Sequence, residues 1–251
     1  MTSVLDAPAA TANPAVALEC KNCHARQPLA PTHVCPECWA PLEIAYDDEL
    51  LKAWTRADVE AGPQTLWRYA GWLPAGHDPA TRVDIGTGLS RLVKADTLAA
   101  ELGMKSLWVK DESGNPTHSF KDRVVAVALS AARELGLQVL ACPSTGNLAN
   151  AVAAAAARAG IRSVVLVPSN LERQKILASA VYDTTLIAVE GSYDDVNKLA
   201  SEIAGEQEGW AFVNVNVRPY YAEGSKTLAF EIAEQLGWRL PDQIVIPVAS
   251  G

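Results

Sequence analysis

From Met104 onward the chain switches repeatedly between short runs of β-branched and aliphatic residues and longer stretches whose apolar positions recur at helical spacing. The short runs predict strands at 107–109, 139–141, 164–167, 185–189, 210–213 and 244–248. The longer stretches predict helices at 120–135, 147–159, 171–180, 193–205 and 223–236. Gly136, Gly160 and Gly237 stand where three of these helices stop, and Pro168 stops a strand. Strand and helix alternating at this spacing argue for an α/β fold, a mostly parallel open sheet with helices on both faces. Ligands in such sheets bind beyond the carboxyl ends of the strands. Upstream, residues 50–88 mix Trp54, Trp67, Tyr69 and Trp72 with Pro and Gly and read as a packing segment wrapped around the larger domain. Residues 1–19, rich in Ala, Pro and Thr, read as a mobile tail. The last strand runs straight into Ala249-Ser250-Gly251, which reads as the start of a loop, so the expectation is that the C-terminal part of the fold follows Gly251.

Two stretches carry candidate chemistry. The first is Lys110-Asp111-Glu112-Ser113-Gly114-Asn115-Pro116-Thr117-His118-Ser119-Phe120-Lys121-Asp122-Arg123. It leaves a strand, crosses a turn cluster and enters a helix. Ser119 and Asp122 have capping-box spacing, which puts Lys121 in the first helical turn. A helix N-terminus disfavours an ammonium, and a neutral amine is what Schiff-base chemistry needs. Taken alone, Lys121 is better accounted for as a solvated lysine packed on its stem. The second stretch, Cys142-Pro143-Ser144-Thr145-Gly146-Asn147, follows a strand and opens a helix. Its backbone N–H groups can hold an anion, although helix capping alone also explains Ser, Thr and Asn there. Cys142 reads as a buried thiol.

Asn115-Pro116-Thr117-x-Ser119-Phe120-Lys121-Asp122-Arg123 resembles the lysine segment of threonine synthases, among the fold type II pyridoxal-phosphate (PLP) enzymes related to the tryptophan synthase β chain. The resemblance implies that Lys121 holds the cofactor as a Schiff base. It implies that Ser144, Thr145 and Gly146 bind the substrate carboxylate and that Asn147 contacts the cofactor ring. It assigns Lys198 and Arg218 to the substrate phosphate; the bland reading of both is a solvated surface cation. Gly86-Thr87-Gly88-Leu89-Ser90 is similar to the family's G-T-P-L stretch, with Leu89 in place of proline. Leu148 stands where threonine often follows the asparagine, and His118 where glycine is usual. His118 is expected to fill space, and Tyr220 and Tyr221 to pack. The cofactor-phosphate loop and the partner of the pyridine nitrogen are expected beyond Gly251. The implied activity is a lyase converting O-phosphohomoserine and water to threonine and phosphate. The alternatives are a related PLP enzyme doing β-elimination or β-replacement on serine- or threonine-type substrates, or a zinc-ribbon binding module joined to a catalytically silent α/β domain.

Cysteine usage adds a second module. Cys20-Lys21-Asn22-Cys23 and Cys35-Pro36-Glu37-Cys38 are two C-x-x-C pairs with eleven residues between them. Two such turns can present four thiolates to one structural zinc ion. The chain therefore divides into a tail at 1–19, a zinc-ribbon-like module at 20–48 and a PLP-type α/β region at 49–251. Threonine synthases with an N-terminal cysteine ribbon are known, and this module looks similar; His24 and Trp39 stand where glycine often follows the second cysteine of a knuckle. The 251 residues carry a net charge of −8, which argues against a nucleic-acid or anionic-membrane partner. With 49% apolar residues and no run long enough to span a bilayer, the expectation is a cytoplasmic enzyme with a small amino-acid substrate, compatible with a homodimer.

Overall fold

The computed structural model describes residues 12–247. The part of the expected tail at 1–11 lies outside them. The rest of that expectation is corrected, because Ala15–Cys20 forms strand β1, with Leu18 fully buried and Ala15 and Ala17 nearly so. Strand β1 is the centre of a small antiparallel sheet, flanked by β2 (Arg26–Gln27) and β3 (Leu42–Tyr46). Five of the six residues of β1 are apolar and four of them are buried, which outweighs the Pro- and Ala-rich composition that suggested mobility.

Helices α1 (Asp48–Ala53) and α2 (Arg56–Ala61) follow, then a 3-10 segment at Leu66–Trp72. Thr55 and Asp58 form a complete capping box at the start of α2. Leu66, Trp67, Tyr69 and Leu73 are buried, so this segment wraps the larger layer as expected. Strand β4 (Arg91–Lys94) leads through α3 (Asp96–Glu101) to β5 (Trp108–Asp111). The strand expected near 107–109 is present but pairs antiparallel with β4, apart from the parallel sheet. The short α3 lets the chain double back on the same edge, which a parallel crossover would not allow.

Helix α4 (Lys121–Glu134) then opens the α/β layer proper. It is followed by β6 (Val139–Pro143), α5 (Asn147–Ala159), β7 (Arg162–Pro168), α6 (Arg173–Ala180), β8 (Thr185–Val189), α7 (Tyr193–Glu206) and β9 (Trp210–Phe212). The four strands are parallel in the order β8-β7-β6-β9. Side chains alternate across the sheet. Leu140, Cys142, Val165 and Val167 join α4 and α5 in one core, which also takes in Leu18, Leu42 and Ile44 of the small sheet. Ala141, Val164 and Leu166 face the opposite way onto Val196 and Ala200 of α7. Each fully buried Leu or Val here is worth about 1.5–3 kcal/mol of transfer free energy.

The C-terminal elements are α8 (Arg218–Gly224) and α9 (Lys226–Gln235). The helix expected at 223–236 thus begins earlier and is split at Ser225. Pro219 is tolerated because it lies in the first turn of α8, where no intrahelical N–H bond is needed. The strand expected at 244–248 is not formed. Residues 244–247 are irregular, with Ile244, Val245 and Ile246 exposed, and 248 lies outside the described residues. A parallel strand exists only with a neighbour to complete its ladder, and no described strand pairs with this run. No described helix is long and apolar enough to cross a membrane.

Candidate active site

The segment entering α4 is held by side chains rather than by a conventional cap. Phe120 is the N-cap residue in αR geometry with no side-chain cap bond. The expected Ser119–Asp122 box is replaced by two separate devices. Ser119 Oγ accepts from the Lys121 backbone N–H at 3.1 Å. The Asp122 carboxylate turns the other way and accepts from the Thr117 N–H at 2.7 Å and hydroxyl at 2.6 Å. Burial raises the Asp122 carboxyl, and the two Thr117 bonds act against that. The Thr117 bonds win the carboxylate because the loop from Gly114 to Thr117 folds over the helix start. Asn115 is buried within that loop and ties Glu112 to the Gly88 N–H.

Lys121 is half-buried. Its Nζ donates to Tyr221 Oη on α8 at 2.8 Å and lies 5.4 Å from the centre of that ring. No described carboxylate forms an ion pair with it, unlike the Lys110, Lys175 and Lys226 ammonium groups. Tyr221, expected only to pack, is therefore the residue nearest the chemistry that the local pattern does not reveal. Its partner is a hundred positions away in sequence. Tyr220 does pack, buried with its hydroxyl toward the Ala30 carbonyl at 3.4 Å.

Within the first turn of α4, Arg123 is fully buried. It donates to Glu112 at 2.6 Å and to Glu231 on α9 at 2.7 Å, and Lys110 also pairs with Glu231. Two cations and two carboxylates thus close a balanced interior network. Burial pushes both carboxyls up, but the bonds from Arg123 outweigh it and hold them below the usual range. This network fixes the β5–α4 loop against α9.

The second motif sits at the carboxyl end of β6. Ser144 is buried, its N–H bonds the Leu166 carbonyl, and its Oγ accepts from the Gly146 N–H at 3.3 Å. Thr145 and Gly146 are half-buried, and Asn147 opens α5 exposed to solvent. Nothing lies within 4 Å of where a Gly146 Cβ would stand. Leu148 is turned into the core instead of toward that opening. Helices α4 and α5 pack together. A four-residue connection joins α4 to β6, so the 14-residue helix, about 21 Å long, returns its N-terminus to the end of the sheet where β6 finishes.

The other expected residues are placed differently. Lys198 is 79% exposed on α7, 4.0 Å from Glu202 of the same helix. Arg218 is exposed at the start of α8, one turn before Tyr221, near His33 of the cysteine module. His118 takes a left-handed φ of 60°, the conformation glycine adopts freely, and turns its ring out to the Ser113 carbonyl rather than filling space. Cys142 is buried, and burial pushes its thiol up.

The four cysteines Cys20, Cys23, Cys35 and Cys38 have sulfurs all within 4.8 Å of one another. The closest pairs are 3.4, 3.6 and 3.7 Å apart. A tetrahedral zinc ion with Zn–S bonds of about 2.3 Å places its sulfurs about 3.8 Å apart, so the donor set fits that ion. The backbone N–H of Cys23 leads in drawing the Cys20 thiol down to about 6, whereas Cys23, although the Ala25 N–H acts to lower it, is pushed up to about 12 by its bonds to Cys20 and Cys38. The two knuckles match: the His24 N–H bonds Cys20 O, and the Trp39 N–H bonds Cys35 O. His24 and Trp39 follow the second cysteine of each pair with φ of 58° and 60°, so both take up the turn that glycine would make without strain.

Residues 83–251 match the family described as "Pyridoxal-phosphate dependent enzyme". The chain belongs to that family, and the half-buried amine of Lys121, the open space over Gly146 and the exposed amide of Asn147 fit its cofactor. Within the family it is similar to threonine synthases. It is 38% identical over 216 residues to the threonine synthase of Methanocaldococcus jannaschii, covering 85% of this chain and 53% of that protein. To the threonine synthase of Mycobacterium tuberculosis (strain H37Rv) it is 38% identical over 191 residues, 75% and 51% of the two chains. The chain thus spans about half the length of the curated relatives it matches. Among solved structures, Escherichia coli diaminopropionate ammonia lyase in apo form superposes with a TM-score of 0.56 at 24% identity, covering 63% of this chain and 51% of that one. O-ureido-L-serine synthase superposes with a TM-score of 0.51 at 27% identity, covering 60% and 49%. The fold is that of the fold type II PLP enzymes.

Proposed function

We propose that the chain is the Lys121-bearing part of a PLP-dependent lyase of threonine synthase type, converting O-phosphohomoserine and water to threonine and phosphate. The observation that carries this reading is Lys121 Nζ, half-buried at the start of α4 within the motif from Asn115 to Arg123, free of any described carboxylate and held by Tyr221. The similarity to threonine synthases supports the substrate. Bound PLP supplies an electron sink for charge developing at the substrate α-carbon. Lys121 would hold the cofactor and, once released, move protons at Cα and Cβ. Backbone N–H groups and hydroxyls of Ser144, Thr145 and Gly146 would bind the carboxylate at the start of α5. Asn147 would reach the cofactor ring. Arg218, with a planar fork suited to phosphate, would meet the leaving group, and Lys198 would contribute longer-range attraction. The substrate is a small amino acid; no nucleic-acid or membrane partner is invoked, and the setting is cytoplasmic, with a homodimer as the assembly to test.

One observation favours a second reading. Leu148 points into the core, so no hydroxyl follows Asn147 to greet a phosphate. β-Elimination or β-replacement on serine- or threonine-type substrates would not need one. Product analysis of the full-length protein decides. Threonine and inorganic phosphate formed in equal amounts from O-phosphohomoserine, and lost in Lys121→Ala, support the first reading. Ketoacid and ammonia from serine or threonine, with O-phosphohomoserine untouched, would replace it with the second.

A further inference from the structure

Helix α8 touches three parts of the molecule within four consecutive positions. Tyr221 accepts the hydrogen bond from Lys121 Nζ at 2.8 Å and presents its ring to the same ammonium. Tyr220, one position earlier, points its hydroxyl at the carbonyl of Ala30, in the loop between the two cysteine pairs. Glu223 accepts from the hydroxyl of Tyr46 at the end of β3. Lys226 closes that contact, 2.6 Å from the Glu223 carboxylate and over the Tyr46 ring at 4.9 Å. On the same face as Tyr221, one turn on, α8 lies flush on α4. A Cβ at Gly224 would fall 2.6 Å from the Val124 Cα and 2.8 Å from the Arg123 carbonyl oxygen, so only glycine permits this approach. The cysteine module and the start of α4 therefore hold the same seven-residue helix from two sides.

We propose that Tyr221 is a positioning residue for Lys121, and that α8 sets its place by bridging the cysteine module to α4. This rests on the reading of Lys121 as the cofactor-bearing lysine. A lysine side chain has large rotamer freedom, and fixing its amine before the cofactor arrives removes part of the cost of ordering it. The hydroxyl of Tyr221 does this from a helix whose other bonds run to Tyr46 and Ala30. The cysteine module thereby acts on the site at a distance, through packing that has one arrangement, and not by contact with substrate.

The test uses the full-length protein with Tyr221→Phe, Tyr46→Phe and the double variant. Each change removes one oxygen and keeps the ring. The readout is the concentration of pyridoxal phosphate that half-loads Lys121, measured by borohydride reduction and peptide mapping, beside the thermal midpoint. Labelling of wild-type Lys121 is scored first, and its absence there would overturn the parent reading before any variant is compared. With Lys121 labelled, Tyr221→Phe is expected to raise the half-loading concentration about tenfold, the size of one hydrogen bond. Tyr46→Phe is expected to raise it about threefold, in line with a weaker, indirect effect. The double variant is expected to match Tyr221→Phe alone. Wild-type loading by Tyr221→Phe, with or without a lowered midpoint, would mark a structural role and overturn the proposal. Factors that multiply in the double variant would overturn the bridge through α8.

Discussion

At the scale of single residues, the interior charges decide more than their number suggests. Arg123 and Glu231 are both fully buried, and Arg123 is shared between Glu231 and Glu112 while Glu231 also pairs with Lys110. Removing Glu231 leaves Lys110 without its carboxylate and Arg123 with Glu112 alone in a low-dielectric interior. Glu231→Ala is expected to cost about 3–5 kcal/mol, read as a lowered denaturant midpoint at unchanged slope. Acid should expose the same network in the wild type. Glu112 and Glu231 have folded values below the ordinary 4.5, so the unfolded chain binds more protons and stability falls as pH drops below that value. His77 adds an earlier loss. Burial holds it below the ordinary 6.5, its Nε2 bonds the Leu73 carbonyl, and its Nδ1 is buried without a partner. The folded state resists its protonation, so stability is full above about 6.5 and declines below it. Thermal melts from pH 7.5 to 4 should show a first decline near 6.5 that His77→Gln lessens, half-buried His33 supplying the rest, and a second below 4.5 that it leaves.

At the scale of elements, α8 is the piece on which the site depends. Its closeness to α4 requires a bare backbone at Gly224. Gly224→Ala is expected to force the two helices apart and destabilise the fold by about 1–3 kcal/mol, the usual range for overpacking. Urea unfolding measures the loss, and weaker loading of Lys121 should accompany it. The cysteine knuckles are a second element-scale case. Their sulfurs already stand at near-tetrahedral separation. Metal analysis of the purified protein should return one zinc per chain, and a strong chelator should lower the melting temperature, because β1 and β3 of this module share the main core.

At the scale of the whole molecule, much of the fold was legible because parallel strands buried on both faces announce themselves as continuous apolar runs, as β6 and β7 do. Glycine stops marked the ends of α4 and α5. Composition misled at 12–19, where the apolar run of β1 mattered more than Pro and Ala content. A helix opening at Arg218-Pro219 was legible, and its break at Ser225 was not. The run at 244–247 has strand composition, but a strand is a relation between two segments and cannot be read from one. For the site, Lys121 and the Ser144–Asn147 loop were visible because each is a local pattern at an element boundary. Tyr221 and the Arg123–Glu231 pair were not, since their partners lie 100 and 108 positions away in sequence. Similarity to threonine synthases and to other PLP enzymes then names the family, while the reaction depends on groups whose contribution only chemistry can read.

The most direct measurement is an absorbance spectrum of the full-length protein with pyridoxal phosphate, followed by borohydride reduction and peptide mapping. The account predicts a band near the visible edge and a single label on Lys121, both absent in Lys121→Ala while its fold is retained. A label on another lysine, or none with the protein folded, would contradict it.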